Sequence, residues 1–143
     1  MAKEISYEYI RGLIEGEGSF SFSPNKTHGI IVPSFTIRMH IRDKALISMI
    51  RDKLRLNNTV YEYDYKGKDG YNRGPTATLI VREIGSLKNI MIPLCYKKLI
   101  GNKALSFEKW IEKIGSDPRV TNSYKFIHFL YKSGYYDKIH DFD

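Results

Sequence analysis

Ile10-Arg11-Gly12-Leu13-Ile14-Glu15-Gly16-Glu17-Gly18-Ser19-Phe20 is the stretch from which the rest of the chain can be read. Ser6 is a suitable N-cap and Glu8 puts an acid in the first turn, so Tyr7 to about Gly16 is predicted helical, with apolar positions Tyr9, Ile10, Leu13 and Ile14. Gly12 and Gly16 stand four residues apart on one face, and each costs about 1 kcal/mol relative to Ala in a helix interior. A face stripped of side chains offsets that cost when a second helix backbone comes close. Past Gly16 the period changes, because Ser19-Phe20-Ser21-Phe22-Ser23 alternates in twos, as a half-buried strand does. Glu17 therefore sits where a helix hands over to a strand.

The chain has 143 residues, the size of one domain with a core of its own, and 1–143 reads as a single unit. Its net charge of +7 favours a polyanionic partner, nucleic acid first. One cysteine, Cys95, excludes an intramolecular disulfide and an all-cysteine metal site, and reads as a core residue in a reducing compartment. No apolar run approaches a membrane span and the N-terminus lacks an h-region, so a soluble, intracellular protein is expected. His28, His40, His128 and His140 are too scattered for a zinc cluster.

Turn formers from Pro24 to Gly29 separate the first strand from a second, Ile30 to His40, making a hairpin. Phe20, Phe22, Phe35, Ile37 and Met39 fall on one side of it, hydroxyls and cations on the other. Asp43 is placed to cap a helix from Lys44 to about Leu54, with Leu46, Ile47, Ile50 and Leu54 on one stripe. Thr59 to Lys66 and Thr76 to Ile84 read as a second hairpin around a Gly67–Gly70 loop. Ser86 is expected to cap a short helix stopping before Pro93. Two further helices follow: Asn102 to Ile114, with Phe107, Trp110, Ile111 and Ile114 inward, and Thr121 to Lys132, with Tyr124, Ile127, Leu130 and Tyr131 inward.

Residues Ile10 to Gly18 resemble the nine-position signature of the LAGLIDADG homing endonucleases. Gly12, Leu13, Ile14 and Gly18 are identical, Ile10 is a mild change, Glu15 and Glu17 keep the acids, and Arg11 and Gly16 replace Ala. A second stretch, Leu99-Ile100-Gly101-Asn102-Lys103-Ala104-Leu105-Ser106-Phe107, is similar to the family's Leu-x-Gly-x-Lys pattern, with Ser106 in place of Asp. The resemblance implies an α+β fold of order αββαββα, whose four-stranded antiparallel sheet curves over the DNA major groove as a saddle. It implies that the signature helix packs against a second copy of itself. With only one motif present, a homodimer is expected, its interface built on Tyr9, Gly12, Leu13 and Gly16.

By the same resemblance Glu17 is the metal ligand, with the Gly16 carbonyl beside it, and Lys103 belongs to the basic pocket at the scissile phosphate. Lys98, like Lys97, is close enough in sequence to take that role. Mg²⁺ is the expected cofactor, with Mn²⁺ or Ca²⁺ able to bind, since such ions prefer oxygen ligands and keep much of their water. Phosphodiester hydrolysis needs an activated water and shielding of charge on phosphate, which divalent ions supply.

For recognition, the sheet's polar face offers Ser21, Ser23, Asn25, Lys26, Ser34, Thr36, Arg38, His40, Thr76, Thr78 and Arg82, and the second hairpin loop offers Lys66, Lys68 and Arg73. Tyr61, Tyr63 and Tyr65 alternate with Glu62 and Asp64; the alternation leaves open which set faces DNA, with packing of the tyrosines against the helices the favoured arrangement. Glu15 reads as a solvated acid at a helix end. The expectation is a homodimeric, metal-dependent endonuclease cutting both strands of a long, near-palindromic double-stranded DNA site, encoded in an intron or intein. The alternative is a non-cleaving nucleic-acid binder on the same fold, either an intron RNA maturase or a DNA-binding regulator.

Overall fold

The computed structural model describes residues 3–25, 29–66 and 72–143, and of residues 65, 66, 72 and 73 the backbone alone. Helix α1 (Tyr7–Glu17) starts where Ser6 Oγ accepts a hydrogen bond from the Tyr9 amide at 3.0 Å. It ends at Gly18, which turns to extended geometry while its amide still donates to the Ile14 carbonyl. A Cβ on Gly18 would stand 2.8 Å from that carbonyl oxygen, so the abrupt change from helix to strand depends on glycine at this position.

Strands β1 (Gly18–Pro24) and β2 (Ile31–His40) form the first hairpin, β3 (Val60–Lys66) and β4 (Asn72–Val81) the second. Between them lie a 3₁₀ turn, Ile41–Asp43, and helix α2 (Lys44–Lys53). Three short helical pieces follow, Ile84–Ser86, a π turn Leu87–Met91, and Ile92–Cys95, which together form α3. Helices α4 (Asn102–Ser116) and α5 (Asn122–Lys132) complete the order, trailed by a 3₁₀ turn, Tyr135–Lys138. The strands make one sheet in the order β1-β2-β4-β3, every neighbour antiparallel. This is the α+β arrangement expected from the sequence.

One face of the sheet carries Phe20, Phe35, Ile37, Ala77, Leu79, Val81 and Val60 into a core shared with Ile10 and Ile14 of α1, Ile47 and Ile50 of α2, and Trp110 of α4. Each isoleucine fully removed from water there contributes about 1.5–3 kcal/mol. Trp110 adds direction to bulk: its ring packs 5.2 Å from Phe20, and its indole N–H donates to the Ser21 carbonyl at 2.8 Å. That bond fixes α4 against β1, the strand that leaves the end of α1. Cys95 is buried, as expected, and desolvation pushes its thiol up to about 12.

Four local expectations change. Asp43 precedes α2, but its side chain makes no cap bond. The capping happens one turn earlier, where His40 Nδ1 accepts from the Arg42 amide at 3.1 Å. Strand β4 starts at Asn72 and runs through Pro75, because its pairing with β2 ends at the His40–Thr76 pair, so the proline's missing N–H interrupts nothing on that side. Ile84 is helical, not the end of a strand. Finally, α3 begins after Glu83 rather than at Ser86 and continues past Pro93. The π turn lets the Ile92 amide reach the Leu87 carbonyl, which places Pro93 in the first turn of a new α segment, where a missing N–H costs least.

Candidate functional site

The exposed side of α1 carries Tyr9, Gly12, Gly16 and Glu17, with Leu13 half-buried beside them. Among the described residues, a Cβ built on Gly12 or on Gly16 meets no atom within 4 Å. The glycine face is therefore open, and neither glycine is required by packing within this chain. Ile100, just ahead of α4, is 90% exposed.

Glu17 closes α1 with its carboxylate exposed. Lys103, in the first turn of α4, reaches back 85 residues and donates from Nζ to the Gly18 carbonyl at 2.6 Å. An acid and a lysine are thereby brought to the same helix–strand junction. Lys98 goes elsewhere, pairing at 3.3 Å with Asp143 of the C-terminal segment. His140 and then Lys98 hold the Asp143 carboxyl below the usual carboxylate range by hydrogen bonding to it. Lys97, with a φ of 56°, pairs with Asp137 at 3.1 Å.

Two side chains of the signature do more than sequence reasoning found. Arg11, only 8% exposed, donates to the Leu94 carbonyl at 3.2 Å and to the Phe142 carbonyl at 2.8 Å, tying α1 to the end of α3 and to the C-terminal segment. Glu15 is not a solvated acid, since its Oε1 accepts from the amides of Ile100 and Gly101 at 3.1 and 2.7 Å. Arg11's departure from the small residue of the resembled pattern was the available signal. For Glu15 the local sequence held none, because both of its partners lie more than 80 residues away.

The sheet's other face is polar. Its register sets Ser19 beside Thr36 and Ile80, Ser21 beside Ser34, Arg38 beside Thr78 and Tyr61, and His40 beside Thr76 and Tyr63. Ser34 and Thr78 lie here but are buried between neighbours, Ser34 hydrogen-bonded with the Ser21 and Ser23 hydroxyls, and Thr78 Oγ1 accepting from Arg38 Nε at 3.4 Å. Ser23, Asn25 and Arg82, with Pro24 and Val32, line a depression of about 490 Å³. Lys26, Lys68 and the side chains of Lys66 and Arg73 lie outside the described residues.

The tyrosines of β3 correct an expectation. Tyr61 opposes Thr78 and Tyr63 opposes Thr76, and directly opposed residues share a face, so both stand on the polar side rather than against the helices. Tyr61 is 46% exposed, and the two rings lie 6.2 Å apart. Glu62 takes the helix side instead, where Lys44 of α2 pairs with it at 2.8 Å. Among the described residues, the polar face thus keeps hydroxyls, rings and cations, while the acids of β3 point away from it. Also among these residues, no cluster of three or more His, Cys, Asp or Glu is placed to hold a metal unaided.

Comparisons with known proteins agree with this layout. Residues 10–114, well over half of the chain, match the protein-family model described as LAGLIDADG endonuclease. A curated relative, the probable intron-encoded DNA endonuclease 1 of Mycosarcoma maydis, is 36% identical over 50 residues, which is 35% of this chain and 19% of that protein. Among solved structures, I-SmaMI bound to an uncleaved DNA target in the presence of calcium ions superposes with a TM-score of 0.59 at 20% identity, over 88% of this chain and 43% of its own. The homing endonuclease I-TnaI does so with a TM-score of 0.60 at 19% identity, over 90% of this chain and 86% of its own. The chain thus spans less than half of the curated relative and of the I-SmaMI chain.

Proposed function

The chain belongs to the LAGLIDADG endonuclease family, and on that premise we propose that it acts as a homodimeric, site-specific homing endonuclease that hydrolyses both strands of a long, near-palindromic double-stranded DNA site. The observation that carries the dimer is the pair of glycines with open space around them. Two residues that cost helix stability and whose missing side chains would meet none of the described residues are explained by a second signature helix lying across them. Ile100, exposed and joined through its amide to Glu15 of the same helix, is an apolar residue for the partner to cover. In a two-fold arrangement the same face serves both copies, and both Glu17 carboxylates approach the axis.

The polar sheet face supports DNA as the ligand. Arg38 and Arg82 supply cations, His40, the serines and the threonines supply short polar groups, and Tyr61 and Tyr63 extend the surface at the outer strand. Strand β1 leaves the acidic tip directly, so β1 and β2 read bases next to the cleavage site and β3, at the far edge of the sheet, reads the outer part of each half-site.

The donor set at the tip, the exposed Glu17 carboxylate with the Gly16 carbonyl, is made of hard oxygens and fits Mg²⁺, which takes few protein ligands when phosphate and water complete its shell. A divalent ion held there supplies charge for activating water and shielding the phosphate. Lys103, anchored on the Gly18 carbonyl, sets a positive charge beside the tip, where it stabilises the negative charge that grows on the phosphoryl oxygens. Glu17 holds and orients, Lys103 compensates charge, and the sheet fixes the phosphate by gripping bases on either side.

The test is cleavage of the gene's own flanking DNA by the purified protein, with and without Mg²⁺, beside Glu17→Gln. Cutting that requires both metal and Glu17, with binding retained in the variant, is the expected result. Equal cutting by both proteins removes Glu17 from the mechanism, and tight binding without cutting in any divalent metal replaces the nuclease with a non-cleaving binder.

A further inference from the structure

Helix α4 begins without a cap of its own. Its N-cap is Gly101, which has no side chain to offer, although the first amides of any helix need acceptors. The neighbouring amides of Ile100 and Gly101 are satisfied from another element, both donating to Oε1 of Glu15 on α1. A Cβ on Gly101 would come to 3.3 Å of that oxygen, so glycine leaves the carboxylate room. Two residues on, Lys103 makes its 2.6 Å bond to the Gly18 carbonyl. One helix therefore grips α4 at two places: at the loop that starts it, through Glu15, and at its first lysine, through the residue after Glu17.

We propose that Glu15 is a positioning residue for the cleavage reaction: by accepting the Ile100 and Gly101 amides it fixes the start of α4 and so sets the Lys103 ammonium beside the Glu17 tip. The proposal rests on the nuclease reading. Its chemical content is that Glu15 acts as a hydrogen-bond acceptor, not as a second metal ligand or a general base. The oxygen that faces α4 is occupied by two backbone donors, and an uncharged amide oxygen serves the same purpose. Glutamine is thus the conservative replacement and alanine the disruptive one.

Four variants separate the possibilities: Glu15→Gln, Glu15→Ala, Lys103→Met, and Glu15→Ala combined with Lys103→Met. Single-turnover cleavage is measured on pre-bound DNA, dissociation constants by fluorescence anisotropy, and amide hydrogen exchange at 99–104 in DNA-free protein. Glu15→Gln should cleave within about threefold of wild type and keep the exchange protection of Ile100 and Gly101. Glu15→Ala should lose about 10–100-fold in the cleavage rate constant, as expected for a charged group displaced by about 1 Å, with little change in DNA affinity. It should also lose that protection. In the Lys103→Met background the alanine change should add no further loss, because the two residues act through one ammonium.

Losses that multiply in the double variant overturn the proposal, as does a glutamine variant as slow as alanine, which would give Glu15 a charge or metal role. A wild-type protein that never cuts DNA removes the nuclease reading and the positioning role together. The exchange data then still report whether the Glu15 clamp exists.

Discussion

Three glycines of the signature should respond to alanine with opposite signs. A Cβ added at Gly12 or Gly16 has none of the described residues within 4 Å, so alanine there fits the isolated subunit and gains helix propensity of about 1 kcal/mol each. Together they should stabilise the monomer by about 2 kcal/mol, which raises the melting temperature by about 4–8 °C for a domain of this size. Gly18 is the reverse case. Its Cβ would meet the Ile14 carbonyl oxygen at 2.8 Å and Ile14 Cγ2 at 3.0 Å, backbone and core atoms that cannot step aside, and overpacking of this kind costs about 1–3 kcal/mol.

Urea unfolding followed by Trp110 fluorescence, at several protein concentrations so that the monomer term can be separated from association, measures both effects. Sedimentation velocity on the same samples should show that Gly12→Ala with Gly16→Ala weakens the dimer even as it strengthens the fold. A Gly18→Ala protein as stable as wild type would refute the steric reading. A loss of monomer stability in the Gly12 and Gly16 variant would mean that these positions are packed within the subunit after all.

Two further outcomes follow from the geometry. Tyr61→Ala should weaken DNA binding several-fold while leaving the unfolding free energy within about 0.5 kcal/mol of wild type, measured by anisotropy and urea titration; a large stability loss with unchanged binding would put the ring back against the helices. The Asp117 carboxyl is held well below the usual carboxylate range by hydrogen bonds from the Arg119 side chain and amide. A depressed folded value stabilises above the unfolded value and fades as pH falls through the folded one, so Asp117→Asn should lower stability at neutral pH and match wild type in strong acid. A gap of constant size from pH 7 to pH 2 would assign the effect to something other than titration.

Most of the architecture was legible because its signals are local. Ser6 caps α1, the alternation of serine and phenylalanine sets β1, and Phe107, Trp110, Ile111 and Ile114 mark α4 at the helical interval. The misses on β3 and at the site share one cause, a partner distant in sequence, whereas those at Asp43 and Pro93 are local. Pro93 reads as a helix stop until a π turn resets the bonding pattern ahead of it. The tyrosines of β3 have the same alternation on either face, and only pairing with Thr76 and Thr78 fixes which way they point. Of the site, Glu17 and Lys103 could be carried from the motif, whereas the Glu15 clamp and the Arg11 tie exist only once α3, α4 and the C-terminal segment are folded beside α1.

Everything proposed about cleavage depends on two copies of α1 meeting through their glycine faces, and a disulfide tests this directly. Cys95 is buried and its thiol is pushed up to about 12, so a thiol introduced as Gly12→Cys is the reactive one, and a bond forms only where two Cα atoms come within about 7 Å. Under mild oxidation Gly12→Cys should migrate as a covalent dimer on a non-reducing gel, while Lys109→Cys on the exposed side of α4 stays monomeric. A Gly12→Cys protein that remains monomeric, or that cross-links no faster than Lys109→Cys, would contradict the account.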